Sequence, residues 1–215
     1  DEGASWVPPP PSPREPAKCV PAATTWPQLS GYTVVSELGR GAAGVVLLAR
    51  DHELDRQVAI KLMRGGAFAS THDADRFRHE ALVGARLRHP NIVQVLSFEQ
   101  QADQGVLVQE YVPGCSLQAY FQRQVFSPIE AARFLKVVAQ AVGHAHEQGV
   151  VHRDLKPSNI LIEFDSSLPT PPGPTEIQPK IADFGLAKLL EGDTEATATG
   201  MVLGTPSYMA PEQAR

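Results

Sequence analysis

The sequence is poor in cysteine: Cys19 and Cys115 are the only two in 215 residues, and neither has metal or redox spacing. Two thiols cannot make a disulfide framework, which fits a reducing compartment and an expected cytoplasmic location. Long apolar runs are absent too. Stretches such as Val45–Ala49, "VVLLA", fall far short of the roughly 20 residues of a membrane span, and no signal-peptide pattern opens the chain. No membrane segment is therefore expected within it. A long basic run is also missing, and the formal net charge is -5, which argues against nucleic acid or an anionic membrane surface as the main partner. No internal repeat is found. The first residue is Asp rather than Met, so the start of the chain need not be the start of the gene.

What is present is material for a core, with 42% hydrophobic residues in a length suited to one large domain or two small lobes. Prolines are unevenly placed: of 19, eight lie in residues 1–30 and five in 168–179. The first group makes residues 1–30 read as an extended, disordered linker with few apolar anchors. The second falls in 166–179, between the apolar runs "NILIEF" and "KIADF", and reads as an enlarged hairpin loop.

Five short β-rich runs, "YTVVSELG", "GVVLLAR", "RQVAIKLM", "NIVQVLSF" and "VLVQEYV", predict an antiparallel sheet. A helix over 73–89 interrupts it, with acids at its start, arginines near its end and Pro90 after it. A second helix opens at a capping box, Ser127 to Glu130 with Pro128 in its first turn, and runs to Gly149. Its apolar positions at helical spacing are Phe134, Leu135, Val138, Ala141, Val142 and Ala145.

Gly39, Gly41 and Gly44 form a GxGxxG arrangement in which missing side chains let backbone amides approach phosphate oxygens. A dinucleotide site would need a helix next, whereas "VVLLAR" continues as a strand; a plain glycine-rich hairpin turn fits equally well. Lys61 ends the "VAIK" run, where a lone lysine is commonly solvated edge decoration. Glu80, on the inward face of the next helix with Phe77 and Gly84, offers it a partner that would hold the ammonium toward phosphates. In "HRDLKPSN", Asp154 can orient a hydroxyl and accept its proton, Lys156 can neutralise a phosphoryl group, and Asn159 can ligate a divalent ion. Asp183 in "IADFGLA" adds a second carboxylate able to bridge metal and phosphate. Each aspartate alone could be a turn or cap residue, but the ordered set points to phosphoryl transfer.

Taken together, "GRGAAGVV", "VAIK", Glu80, "HRDLKPSN", "DFG" and "APE" resemble the protein kinases over residues 31–215, and the phrasing is most similar to bacterial eukaryotic-like Ser/Thr kinases. The resemblance implies an α+β, two-lobed fold, with a mainly β N-lobe at 31–112 and a mainly α C-lobe at 113–215, incomplete because the family continues through further helices after "APE". It implies ATP with Mg2+ (or Mn2+) as cofactors and protein Ser/Thr hydroxyls as acceptors. Leu38 and the glycine loop would cover the nucleotide, Val46, Ala59 and Leu161 would sandwich adenine, and backbone groups of Glu110 and Val112 would bond its edge beside Gln109. His152, Phe184, Gly84 and Val95 would form a stacked column, where Gly84 departs from the pattern by contributing no side chain. Lys156 with "GTPSYMAPE" resembles the Ser/Thr branch, placing Thr205 on the substrate side. Arg153 resembles the subgroup controlled by phosphorylation of the activation loop, where Thr194, Thr197 and Thr199 are available. Self-association for trans-autophosphorylation would follow from that. The alternative is an inactive, nucleotide-binding scaffold, and the chain ending at Arg215 is expected to be inactive by itself; a membrane anchor beyond that point stays compatible with the reading.

Overall fold

The computed structural model describes residues 26, 28–41, 44–63, 81, 84–101, 104–165, 171–184 and 208. Five strands, β1 (Tyr32–Gly41), β2 (Gly44–Asp51), β3 (Arg56–Met63), β4 (Val95–Gln101) and β5 (Gln104–Glu110), pair antiparallel in the order β1-β2-β3-β5-β4. Alternation along β3 sends Val58, Ile60 and Leu62 to one face, where they bury against Leu47, Ala49, Val106 and Val108. Ala59 and Lys61 point the other way, and cross-strand pairing puts Val46 opposite Lys61 and Gln109 opposite Ala59 on that same face. Leu29 and the partly buried Trp26, within the segment read as linker, join this upper core, so the packed chain starts before Gly31.

The lower part holds a three-stranded sheet, β6 (Gly114–Ser116), β7 (Ile160–Glu163) and β8 (Gln178–Ile181), with a short helix α1 (Leu117–Tyr120) and a long one, α2 (Pro128–Glu147). β6 and α1 carry too few residues to announce themselves by periodicity. The start of α2 follows its sequence signals: Ser127 Oγ accepts from the Glu130 amide, Glu130 returns to the Ser127 amide, and Pro128 fills the first turn. Phe134, Val138, Ala141 and Ala145 pack with Leu117, Tyr120, Ile160, Ile162 and Ile181 into the lower core. Val142, also expected there, is partly buried against this core, whereas Leu135 is 60% exposed, because it lies off the inward stripe that Phe134, Val138, Ala141 and Ala145 form at i, i+4, i+7 and i+11.

Two boundaries differ from expectation. The run "NIVQVLSF" is not one strand: Val93 N–H donates to the Ile181 carbonyl and Ile181 N–H donates to the Asn91 carbonyl, so residues 91–93 are committed to β8 and β4 begins only at Val95. The helix expected over 73–89 is described only at Ala81 and 84–86, and Leu87–His89 are no longer helical. The proline-rich loop does join β7 to β8 as an antiparallel hairpin, with Gln178 and Pro179 already paired inside β8. It is anchored by Ile177, which is buried, and by Tyr120, whose fully buried ring donates its hydroxyl to the Pro172 carbonyl at 2.7 Å.

That anchor predicts that Tyr120→Phe, which strands the Pro172 carbonyl, costs about 1 kcal/mol in denaturant unfolding. It should also speed amide exchange at Glu176, whose N–H donates to the Gly173 carbonyl. Leu135→Ala on the solvent side should stay within about 0.5 kcal/mol.

Candidate active site

The loop from Val151 to Asn159 is held by its own polar groups. Asn159 Nδ2 donates to the Asp154 carbonyl at 2.7 Å and to Asp154 Oδ2 at 3.2 Å, and Lys156 Nζ lies 2.7 Å from the same Oδ2. These bonds fix the Asp154 carboxylate and leave Asn159 Oδ1 as a hard acceptor. Arg153 has φ +66°, a costly backbone for a long side chain, tolerated where surrounding bonds over-determine it. Those bonds are visible at His152. Its Nδ1 accepts from the Asp154 amide at 3.3 Å and its Nε2 donates to the Ala182 carbonyl at 2.9 Å, while Ala182 N–H donates to the Asn159 carbonyl at 2.8 Å. A ring that accepts on one nitrogen and donates on the other is neutral. Burial is the main cause holding the His152 pKa below its ordinary value.

Asp183 follows β8 with φ +64°, a conformation Asp tolerates better than most residues. Its Oδ1 lies 2.8 Å from Lys61 Nζ, whose side chain is 6% exposed, so this ion pair ties the upper sheet to the segment after β8. Behind it His152 stacks on Phe184 with ring centroids 4.7 Å apart. A β-carbon at Gly84 would lie 3.7 Å from Val95 Cγ2 and 3.9 Å from the Phe184 carbonyl oxygen, so the four column residues do meet. A cavity of about 10 Å³, the room of one water, lies beside Gly84, lined also by Ala81, Val95, Leu107, Gln109, Asp183 and Phe184 among others.

Gly39 and Gly41 face open space, where an added β-carbon would meet nothing within 4 Å. Neither has a positive φ, so no contact or backbone conformation among the described residues explains them. Leu38 is exposed beside them, and Val46, Ala59 and Leu161 are half-buried. Among the described residues no cluster of three or more His, Cys, Asp or Glu could hold a metal. Asn159 and Asp183 supply two hard oxygens, a set that suits Mg2+ shared with phosphate.

Sequence reasoning passed over two groups. Gly114, with φ +133°, lets the chain after Val112 pass so close to β7 that any β-carbon would overlap the Ile162 carbonyl oxygen. A glycine following "EYVP" was the only signal. Lys180, one residue before Ile181, gives both its short contacts to Glu110, as taken up below. Glu80, Thr194, Thr197, Thr199 and Thr205 lie outside the described residues. The described partner of Lys61 is Asp183.

The protein kinase domain family matches residues 32–215. The chain is 38% identical to Ser/Thr-protein kinase pkn3 of Myxococcus xanthus over 86% of its own length and 33% of that protein, and 37% identical to PrkC of Bacillus subtilis over 87% and 28%. It thus spans about a third of the length of these curated relatives. Among solved structures, the kinase domain of Mycobacterium tuberculosis PknI superposes with TM-score 0.64 at 27% identity, covering 80% of this chain and 68% of that one.

The neutral state of His152 has a pH consequence. His89 is also held below 6.5, by burial first and then by His144, whose ring is 5.2 Å away. As pH falls below 6.5 the unfolded chain takes up these protons first, so the stability present above that value is lost down to the folded pKa values. Urea unfolding between about pH 7.5 and 5.5, above the carboxylate range, should show this decline. It should be smaller in His152→Gln, which donates and accepts without titrating.

Proposed function

This chain belongs to the protein kinase family, and we propose that it transfers the γ-phosphoryl group of ATP to Ser or Thr hydroxyls of protein substrates. What supports the reading is a linked series of contacts: Lys61 pairs with Asp183, the neighbouring Ala182 amide donates to the Asn159 carbonyl, and the Asn159 side chain bonds Asp154. In this reading backbone groups of Glu110 and Val112 bind the adenine edge, Val46 and Ala59 cover it, Leu161 lies beneath, and Leu38, Gly39, Gly41 and Gly44 close over the phosphates. Lys61 holds the phosphates, and Glu80 steadies its ammonium. Asn159 and Asp183 hold Mg2+ or Mn2+, which when bound offsets the charge on the phosphate oxygens. Asp154 orients the acceptor hydroxyl and takes its proton as the new oxygen–phosphorus bond forms and the bond to the departing ADP oxygen breaks. Lys156 balances negative charge on the group in transit.

Thr205 would flank the acceptor, and Thr194, Thr197 and Thr199 would receive regulatory phosphate near Arg153, added by a second copy of the chain. No described helix is long and apolar enough to cross a membrane. A cytoplasmic site of action is part of the proposal.

The roles separate by mutation in the full-length protein. Asp154→Asn should lower peptide phosphorylation at least about 100-fold while leaving ATP affinity within about twofold, since Asp154 faces the hydroxyl. Asp183→Asn should weaken Mg-ATP binding as well as transfer. Isothermal titration alongside a radiolabel transfer assay decides both, and full transfer by Asp154→Asn would refute its role. Intact nucleotide binding without transfer in the wild type would instead indicate a scaffold.

A further inference from the structure

We propose that Lys180, Glu110 and Gln94 form a latch across the joint between the lobes, coupling adenine binding at the end of β5 to phosphate and metal binding at Asp183. This rests on the nucleotide-binding role assigned above. Lys180 Nζ donates to both carboxylate oxygens of Glu110, at 3.0 and 3.1 Å, with the lysine side chain 15% exposed. The same carboxylate accepts from the Gln94 amide at 2.9 Å, and the Glu110 amide donates back to the Gln94 carbonyl at 2.9 Å. Gln94 Nε2 reaches the Ala85 carbonyl at 3.2 Å, drawing in the helical segment as well.

The chain closes these contacts into a ring. Residues 91–93 bond to Ile181, next to Lys180, and Gln94 then bonds to Glu110, so the ring runs from β5 through residues 91–94 to β8 and back through the ammonium. Every member but Lys180 and the Glu110 carboxylate is main chain or leans on main chain. The ion pair is therefore a link that a single side-chain change opens while the main-chain bonds of residues 91–94 are kept. Glu110 ends the strand assigned to adenine, and Lys180 stands three residues before Asp183 and directly across from Leu161. Lys180 and Gln94 do not reach the reacting atoms; they are positioning residues.

A ligand that engages Asp183 as well as the end of β5 depends on the latch more than one that stops at the adenine site. Adenosine rests between the end of β5 and Leu161 without reaching Asp183, whereas a metal–triphosphate nucleotide must engage the end of β5 and Asp183 together. Affinities of the full-length protein for adenosine and for the magnesium complex of a non-hydrolysable ATP analogue, by isothermal titration, test this. Lys180→Met should weaken the triphosphate roughly five- to tenfold and adenosine less than about twofold, while Lys180→Arg, which keeps the two-pronged contact, stays near wild type. Should Lys180→Met not fold, Glu110→Gln carries the same test, because it removes the charge but leaves an acceptor for the Gln94 amide. Equal weakening of both ligands, or of neither, in a folded variant overturns the latch. A wild-type protein that binds neither ligand overturns the nucleotide-binding reading instead.

Discussion

A buried ammonium must find a counter-charge, and Lys61 finds it in Asp183 at 2.8 Å. Removing one partner of such a pair leaves a desolvated charge, at a cost of about 3–5 kcal/mol. The constraint therefore acts with the bonds of residues 91–93 to Ile181 and of Lys180 to Glu110 in setting how the two lobes face each other. Lys61 reaches the joint because β3 alternates, burying Val58, Ile60 and Leu62 upward and turning Ala59 and Lys61 down. Asp183 reaches it because the backbone after Ile181 turns through a left-handed conformation while Ala182 is held on both sides, by His152 at its carbonyl and by Asn159 at its amide.

The same bonds hold the loop that carries Asp154 and Asn159, although it is not deeply buried. Asp154 and Asn159 are only half-buried, yet their side chains bond each other, and their backbones connect through His152 and Ala182 to the segment that carries Asp183. A neutral His152 is required in the middle of this chain of contacts, since a proton on Nδ1 would meet the Asp154 amide. Candidate metal ligands, candidate base and upper-sheet lysine thus belong to one continuous polar network.

Much of this was legible in the sequence where chemistry and pattern coincide. The capping box at Ser127 and the alternation in "RQVAIKLM" set local geometry through short-range rules, and α2 and β3 start where those rules say. The grouping of Lys61, Asp154, Asn159 and Asp183 was readable because ordered motifs carried it. What stayed hidden depends on partners far along the chain. Asn91–Val93 look like strand, but their hydrogen bonds go to Ile181, some 90 positions away. Leu135 looks like core by spacing, yet sits off the stripe that meets β8. Lys180 gave no local signal, and Gly114 only that of a glycine after "EYVP", because the contact with Glu110 and the close approach to Ile162 exist only once the sheets are assembled.

In the proposed reading Asp183 would exchange Lys61 for a metal only when phosphate arrives, since Asn159 and Asp183 would offer just two protein oxygens to an ion that takes about six. Mn2+ binding followed by electron paramagnetic resonance, with and without a non-hydrolysable ATP analogue, tests it most directly. The account predicts weak Mn2+ binding to the protein alone and at least about tenfold tighter binding in the presence of the nucleotide, beyond what the free nucleotide binds. Equally tight Mn2+ binding without nucleotide, or a nucleotide-dependent gain that survives Asp183→Asn unchanged, would contradict it.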